Sequence, residues 1–194
     1  MNILASLLFA LSANMDNFVV GLSYGIKNLK IGLASNLVIS LITFAGTALS
    51  MSLSKVISRS MPTFVASLIG NIMLILIGGW TIAKPLIKGI QTDGILDNPE
   101  QVDKDKSLTI DVGESITLGV ALTINNIGLG IGASIAGLNI VLTSVFTFIL
   151  SILLLISGFK LGSKYLSSLF SKKATIISGL IIIILGLTGL MMDF

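Results

Sequence analysis

Residues 3–26 read ILASLLFALSANMDNFVVGLSYGI, twenty-four positions with a single charge, Asp16. At 1.5 Å per residue such a helix spans about 36 Å, more than the ~30 Å hydrocarbon core of a bilayer. The segment lacks a basic leading region, its apolar run is too long for a secretory signal, and Asp16 interrupts it, so it reads as a transmembrane helix. An ionised carboxylate at that depth costs at least ~2.5–3.5 kcal/mol on insertion scales. Nothing about folding requires it. Asp16 therefore points to ion handling.

The rest of the chain agrees with this environment. Of 194 residues, 54% are hydrophobic and only 11% charged, against about 25% charged in soluble domains; mean hydropathy is +1.03. The expected class is an all-α integral membrane protein forming one polytopic domain over residues 1–194. Six segments are long enough to span, roughly 3–26, 31–54, 64–83, 113–136, 138–159 and 174–191. The connection at 87–112 carries Asp93, Asp97, Glu100, Asp103, Asp105 and Asp111. It has no EF-hand spacing and reads as a solvated connector. The net charge of +3 arises from 12 basic and 9 acidic residues. The basic ones flank apolar segments, which suits topology and lipid headgroups rather than nucleic acid. If the N-terminus lies outside, all but Lys55 and Arg59 are cytoplasmic. The positive-inside rule thus predicts both termini outside.

Cysteine and histidine are absent. That excludes disulfides, thiolate or imidazole metal sites, and nucleophilic triads built on His. No second membrane carboxylate is available to activate water, so an enzyme is not expected. A metal bound here is held by oxygen, which selects hard or borderline cations.

The halves repeat, with repeat 1 at about 1–86 and repeat 2 at about 113–194. A shift of 109 residues places Asp16-Asn17 on Asn125-Asn126, Gly21 on Gly130 and Ser54-Lys55 on Ser163-Lys164; a shift of 108 places Gly78 on Gly186. Three spans per half is an odd number, so the expected fold is two inverted three-helix repeats. Transporters of this kind hold their substrate site at the repeat interface.

At 100° per residue, Ala5, Phe9, Ser12, Val20 and Ser23 share the face of Asp16, Asn17 lies a quarter-turn round, and Asn14 lies nearly opposite. No Lys or Arg stands at mid-membrane to neutralise the carboxylate. Asn125 and Asn126 offer amide oxygens at the matching depth of the fourth segment. Glu114 lies three turns before Asn125. Two readings stand for it: an acid at the cytoplasmic mouth that attracts cations, or a favourable first-turn acid. Asn36, Ser40, Thr43, Thr47, Ser50 and Ser54 form a polar seam along the second segment, echoed by Ser144, Thr147, Ser151 and Gly158 in the fifth. Such a seam lines a hydrated path or marks close helix packing. Gly21/Gly25 and Gly128/Gly132 have GxxxG spacing, which favours close packing over local unwinding. Asn71 is a further polar residue at depth.

The string Ala10-Leu11-Ser12-Ala13-Asn14-Met15-Asp16-Asn17-Phe18 with Gly21, and its counterpart Leu122 to Gly132, resembles the paired motif of the MntP/YtaF family. These are six-helix bacterial membrane proteins that include manganese efflux pumps. The Asn125-Asn126 form, with Tyr24-Gly25 after the first motif, is most similar to the sporulation-associated YtaF branch. The resemblance implies a multi-pass plasma-membrane transporter without cofactor that exports a divalent cation, Mn²⁺ first among them. It implies Asp16 as charged ligand and Asn125 and Asn126 as neutral ligands, with Asn17, Ser12, Ser23 and Asn36 as further candidates. In manganese-exporting members each half contributes an aspartate; here Asn125 stands in place of the second. The competing expectation is therefore a membrane scaffold associated with sporulation that moves no ion. The expected partners are the lipid bilayer and the metal ion, with a homodimer left open.

Overall fold

The computed structural model describes residues 3–58, 62–83, 99–164, 176, 180–185, 187–188 and 190–191. Its elements are α1 (Ile3–Ala13), α2 (Met15–Ile26), β1 (Lys30–Ile31), α3 (Leu33–Ser58), α4 (Thr63–Ala83), a 3-10 turn (Pro99–Val102), β2 (Thr109–Ile110), α5 (Val112–Ile135) and α6 (Ile140–Lys164). The architecture is all-helical apart from the short β1–β2 pair. By length and apolarity three stretches suit membrane spans, Ile3–Ile26, Leu33–Val56 and Ile140–Ser163. A fourth joins Val112–Ile124 to Asn126–Ile135, which meet at 44°. Leu68–Ala83 of α4 is a shorter apolar helix. The expected sixth span, 174–191, lies largely outside the described residues.

The helices are apolar outside and polar within. On α3, Leu37, Leu41, Leu49, Leu53 and Val56 are exposed, whereas Asn36, Ser40, Thr43, Thr47, Ser50 and Ser54 are all buried. In water that arrangement would be unstable. In lipid it is favourable, because the outward face meets hydrocarbon and the polar side chains join helices to one another.

Glycine sets the closest approaches. A Cβ on Gly21 or Gly25 would collide with the carbonyl oxygens of Leu155 and Phe159 on α6, and one on Gly158 or Gly162 with those of Phe18 and Leu22 on α2. The Gly21/Gly25 pair is thus a packing device, and α6 answers it with glycines at the same spacing. Gly128 and Gly132 face Ile77 and Leu74 of α4 instead. Between α3 and α5, Gly46 meets Thr123 and Gly130 meets Ser50. Ser54 Oγ donates to the Ile131 carbonyl at 3.1 Å, and Ser134 Oγ to that of Met51 at 2.6 Å.

Two helix ends share one cap. After α2, Asn28 (φ 56°) donates to Gly25 O and Leu29 to Tyr24 O; after α5, Gly137 (φ 84°) donates to Ser134 O and Leu138 to Ala133 O. Both are left-handed caps of the Schellman type, which suit Gly or Asn. They lie 109 residues apart, the offset that pairs Asp16 with Asn125. The two helices run in opposite senses: α2 ends at the face holding β1 and β2, whereas α5 starts there.

Most described side chains of the long connection are exposed, as in a solvated connector, but it is docked at Val102 and Ile110; residues 84–98 lie outside the description. Lys30–Ile31 pairs in parallel with Thr109–Ile110, and Ser35 Oγ donates to the Ile110 carbonyl at 2.8 Å. Val102 and Ile110 are buried in one apolar cluster with Val20, Tyr24, Leu29, Ile39, Leu118, Leu122 and Leu155. The connection is a strap laid over the ends of α2, α3 and α5. Apolar side chains at two positions suffice to dock an otherwise acidic segment.

Asp111 caps α5, accepting the Glu114 N–H at 2.6 Å while Glu114 accepts the Asp111 N–H at 3.2 Å. The other Glu114 oxygen accepts the Lys104 N–H at 2.7 Å. Both carboxylate oxygens thus serve the helix start and the strap, as the first-turn reading describes. Asp111→Ala removes one half of this capping box and is expected to cost about 1 kcal/mol. Thermal unfolding in detergent should show the loss, and Asp111→Ser should largely restore it.

Candidate ion site at the break in the first span

The first span is interrupted at one residue, Asn14, without a bend beyond 40°, which its hydropathy did not reveal. Asn14 adopts φ −104° and ψ 12° between α1 and α2. Its Nδ2 donates to the Ala10 carbonyl at 2.7 Å, the same oxygen its own N–H reaches at 3.2 Å. Asparagine side chains compete with the helix for backbone partners, and here the competition is resolved at a turn. Asp16 consequently lies in the first turn of α2. The Asn17 and Phe18 N–H groups there reach the Asn14 carbonyl at 3.1 and 3.4 Å, and a helix start favours negative charge. One Asp16 oxygen accepts the Asn17 N–H at 2.8 Å. By helix rise the carboxylate stands about 20 Å from Ile3 and about 15 Å from Ile26, near mid-span.

Asn17 carries the site to the other helices. Its Nδ2 donates to Asn14 Oδ1 at 3.2 Å and to Ser151 Oγ of α6 at 2.7 Å. The Ser40 and Thr43 hydroxyls of α3 also lie 3.1 and 3.4 Å from Ser151 Oγ, and Thr43 Oγ1 donates to the Ser40 carbonyl at 3.0 Å. Ser40 further lies 3.5 Å from Asn36 Oδ1, and Asn36 Nδ2 donates to the Ile152 carbonyl at 3.4 Å. Asn14, Asn17, Asn36, Ser40, Thr43 and Ser151 are all buried. Asp16 and Ser23 are half-buried, and Ser12 is buried. The seam residues of α3 are therefore interhelical bonds at this level.

The matching place in α5 is the 44° bend between Ile124 and Asn126. Asn125 lies at the bend, and its side chain is outside the described residues. Asn126 is 3% exposed, and among the described residues neither its Oδ1 nor its Nδ2 has a hydrogen-bond partner. Asn17 Oδ1 and Thr123 Oγ1 are likewise buried without one. Such groups cost free energy unless something else satisfies them.

Of the expected site residues, Asn17 and Asn36 are joined through Ser151 and Ser40, and Asp16 adjoins Asn17. Glu114 is not brought to them. It lies eleven residues before Asn125, about 16 Å by helix rise, within the strap. Asp103, Asp105 and Glu114 hold oxygens within 4.8 Å of one another, but these accept strap N–H groups. Asp103 and Asp105 both bind the Ser107 N–H, at 3.1 and 2.9 Å. That Ser107 bond holds the Asp105 carboxyl below its usual range. Asn14 and Ser151 were not anticipated as site residues. A wheel centred on Asp16 puts Asn14 opposite, but Asn14 and Asn17, three residues apart, share the face that is buried; Ser151 was visible as one member of the fifth segment's polar echo.

One carboxylate among amide and hydroxyl oxygens is a donor set for a hard cation. The sequence model of the Mntp family, described as "Putative manganese efflux pump", matches residues 81–190. A curated relative, "Probable sporulation protein YtaF" of Bacillus subtilis (strain 168), is 30% identical over 207 residues, covering 96% of this chain and 99% of its own. No solved structure matches. With its helical membrane architecture and an acidic residue at the break of its first span, the chain belongs to the Mntp family.

Proposed function

We propose that this protein exports a divalent cation, Mn²⁺ first among them, from the cytosol across the plasma membrane. The observation that carries the reading is Asp16, a carboxylate at a helix break in mid-span, joined through Asn17 to a buried set of neutral oxygen donors. Asp16 is the charged ligand. Asn125 and Asn126 are the neutral ligands contributed by the second half, with Asn17, Ser12 and Asn36 as supporting donors. The inverted repeat is supported by the caps 109 residues apart and by the opposite senses of α2 and α5. The pairings α2 with α6 and α3 with α5 are what two interlocked halves would make. Lys27, Lys30, Lys104 and Lys106 on or beside the strap favour that face as cytoplasmic, with both termini outside. Rocking one half against the other would expose the midplane site alternately.

A second reading has its own support. The sporulation name of the relative and the neutral residue at 125 both suit a scaffold that moves no ion. Metal-resolved transport in proteoliposomes separates the two. Wild type should carry Mn²⁺, and Asn125→Asp should carry it faster, because a second carboxylate offsets the remaining positive charge of a bound divalent ion. Silence across Mn²⁺, Ca²⁺, Mg²⁺ and Co²⁺ in both proteins would favour the scaffold.

A further inference from the structure

We propose that the inner face of α6, at Thr143, Ser144 and Thr147, lines the path that water takes between the Gly137–Asn139 face and the Asn17–Ser151 junction when that end of the bundle opens. The assignment deepens the transport reading and rests on it for the cargo, but the path is testable without transport.

Helix α6 has two distinct faces. Val141, Val145, Ile149 and Leu153 recur every four residues and are 70, 42, 44 and 52% exposed, as residues against hydrocarbon should be. Thr143, Ser144, Thr147 and Ser151 are buried on the other side, none more than 2% exposed. Thr143 to Ser151 is eight residues, a rise of about 12 Å, so the row connects the outer end of α6 with the site.

The hydroxyl groups of Thr143, Ser144 and Thr147 are buried without a hydrogen-bond partner among the described residues. Residue type does not explain this. Elsewhere in these helices hydroxyls close onto their own backbone: Thr81 on the Ile77 carbonyl at 2.8 Å, Ser157 on Leu153 at 2.6 Å and Ser50 on Thr47 at 3.0 Å. Ser157 does so on the same helix. The three orphaned hydroxyls instead share one face, and at its deep end the fourth, Ser151, lies within hydrogen-bond distance of Asn17, Ser40 and Thr43. Thr123 Oγ1 and both polar atoms of Asn126 on α5 are orphaned as well.

In the closed packing water does not reach these hydroxyls, so each stays desolvated without a partner, a cost that water entering along the row removes. The other half of α6 differs. There Gly158 and Gly162 press against the α2 backbone and leave no room for a path. Neutral hydroxyls also suit passage, since they solvate a cation without the charge that would trap it.

The chain has no cysteine, so single-cysteine variants report on one position each. Ser144→Cys, Thr147→Cys and Thr143→Cys are compared with Val145→Cys on the lipid face, using a cationic methanethiosulfonate reagent on protein in proteoliposomes. Thiols react as thiolates, which form where water solvates the charge. The interior positions should therefore react about tenfold faster than Val145→Cys or more. Variants that elute as wild type on size exclusion are scored, and three interior positions guard against one failing to fold. Interior rates no higher than that of Val145→Cys would overturn the path. Metal flux without labelling would overturn the path alone; labelling without flux would overturn the transport reading and leave the path standing.

Discussion

Asp16→Asn is expected to abolish Mn²⁺ export while making the protein easier to insert and more stable. The two effects have opposite signs for one reason. Removing the only carboxylate from the site removes the only negative charge facing a divalent ion. Loss of outer-shell groups alone costs 10–100-fold in metal affinity or activity, so losing the charged ligand should cost about 100-fold or more. The same substitution relieves the insertion cost of a mid-membrane charge, ~2.5–3.5 kcal/mol on the lower scales. Asparagine retains an oxygen that can accept the Asn17 N–H, as Asp16 does at 2.8 Å, so the break itself should survive. Manganese tolerance of an exporter-deficient cell reads the first effect at matched membrane abundance, and thermal unfolding of purified protein reads the second. A variant that protects as well as wild type would refute the site. One that unfolds earlier would mark Asp16 as a structural residue.

The second large effect concerns packing. In Gly25→Ala, the new methyl would stand against the Phe159 carbonyl oxygen, 2.7 Å from Ser163 N and 2.9 Å from Gly162 Cα. These are backbone atoms and cannot rotate aside, so α2 and α6 must separate. Overpacking typically costs about 1–3 kcal/mol, and this contact belongs at the upper end. Because Asn17 and Ser151 join the same two helices at 2.7 Å, separation should disturb the site as well as the fold. Gly79→Ala is the control, since among the described residues nothing lies within 4 Å of its Cβ position. That change should be neutral or stabilising by up to about 1 kcal/mol, the helix-propensity difference. Unfolding midpoints of the two variants in detergent test the contrast; equal midpoints would show that the α2–α6 contact is looser than described.

How far the site was legible depended on the kind of signal each residue leaves. Asp16 was conspicuous because a charge in a 24-residue apolar run violates transfer energetics on its own. The α3 seam was legible as a period of three and four, and all six of its residues are buried. Its role was not legible, because periodicity says which residues share a face and not what faces them. At Asn36, Ser40 and Thr43 the answer is α6, and at Ser50 and Ser54 it is α5. The strap was half legible for a related reason. Its acidic composition argues for water, and most of its described side chains are exposed; its docking by Val102 and Ile110 shows only once Val20, Tyr24 and Leu29 are placed beneath them.

By itself the sequence determined the medium, the polar stripes that face inward on α3 and α6, and the place of Asp16 within the first span. All of these follow from local composition and spacing, because transfer into lipid is summed along the chain and helix faces recur at a constant angle. Tertiary structure alone decided that the first span is interrupted at Asn14, that Gly21 and Gly25 pack on the α6 backbone at Leu155 and Phe159, and that Asn17 meets Ser151. That last bond joins residues 134 positions apart. Its partners are selected by how closely two helices can approach, a property of both surfaces at once, which neither segment carries on its own.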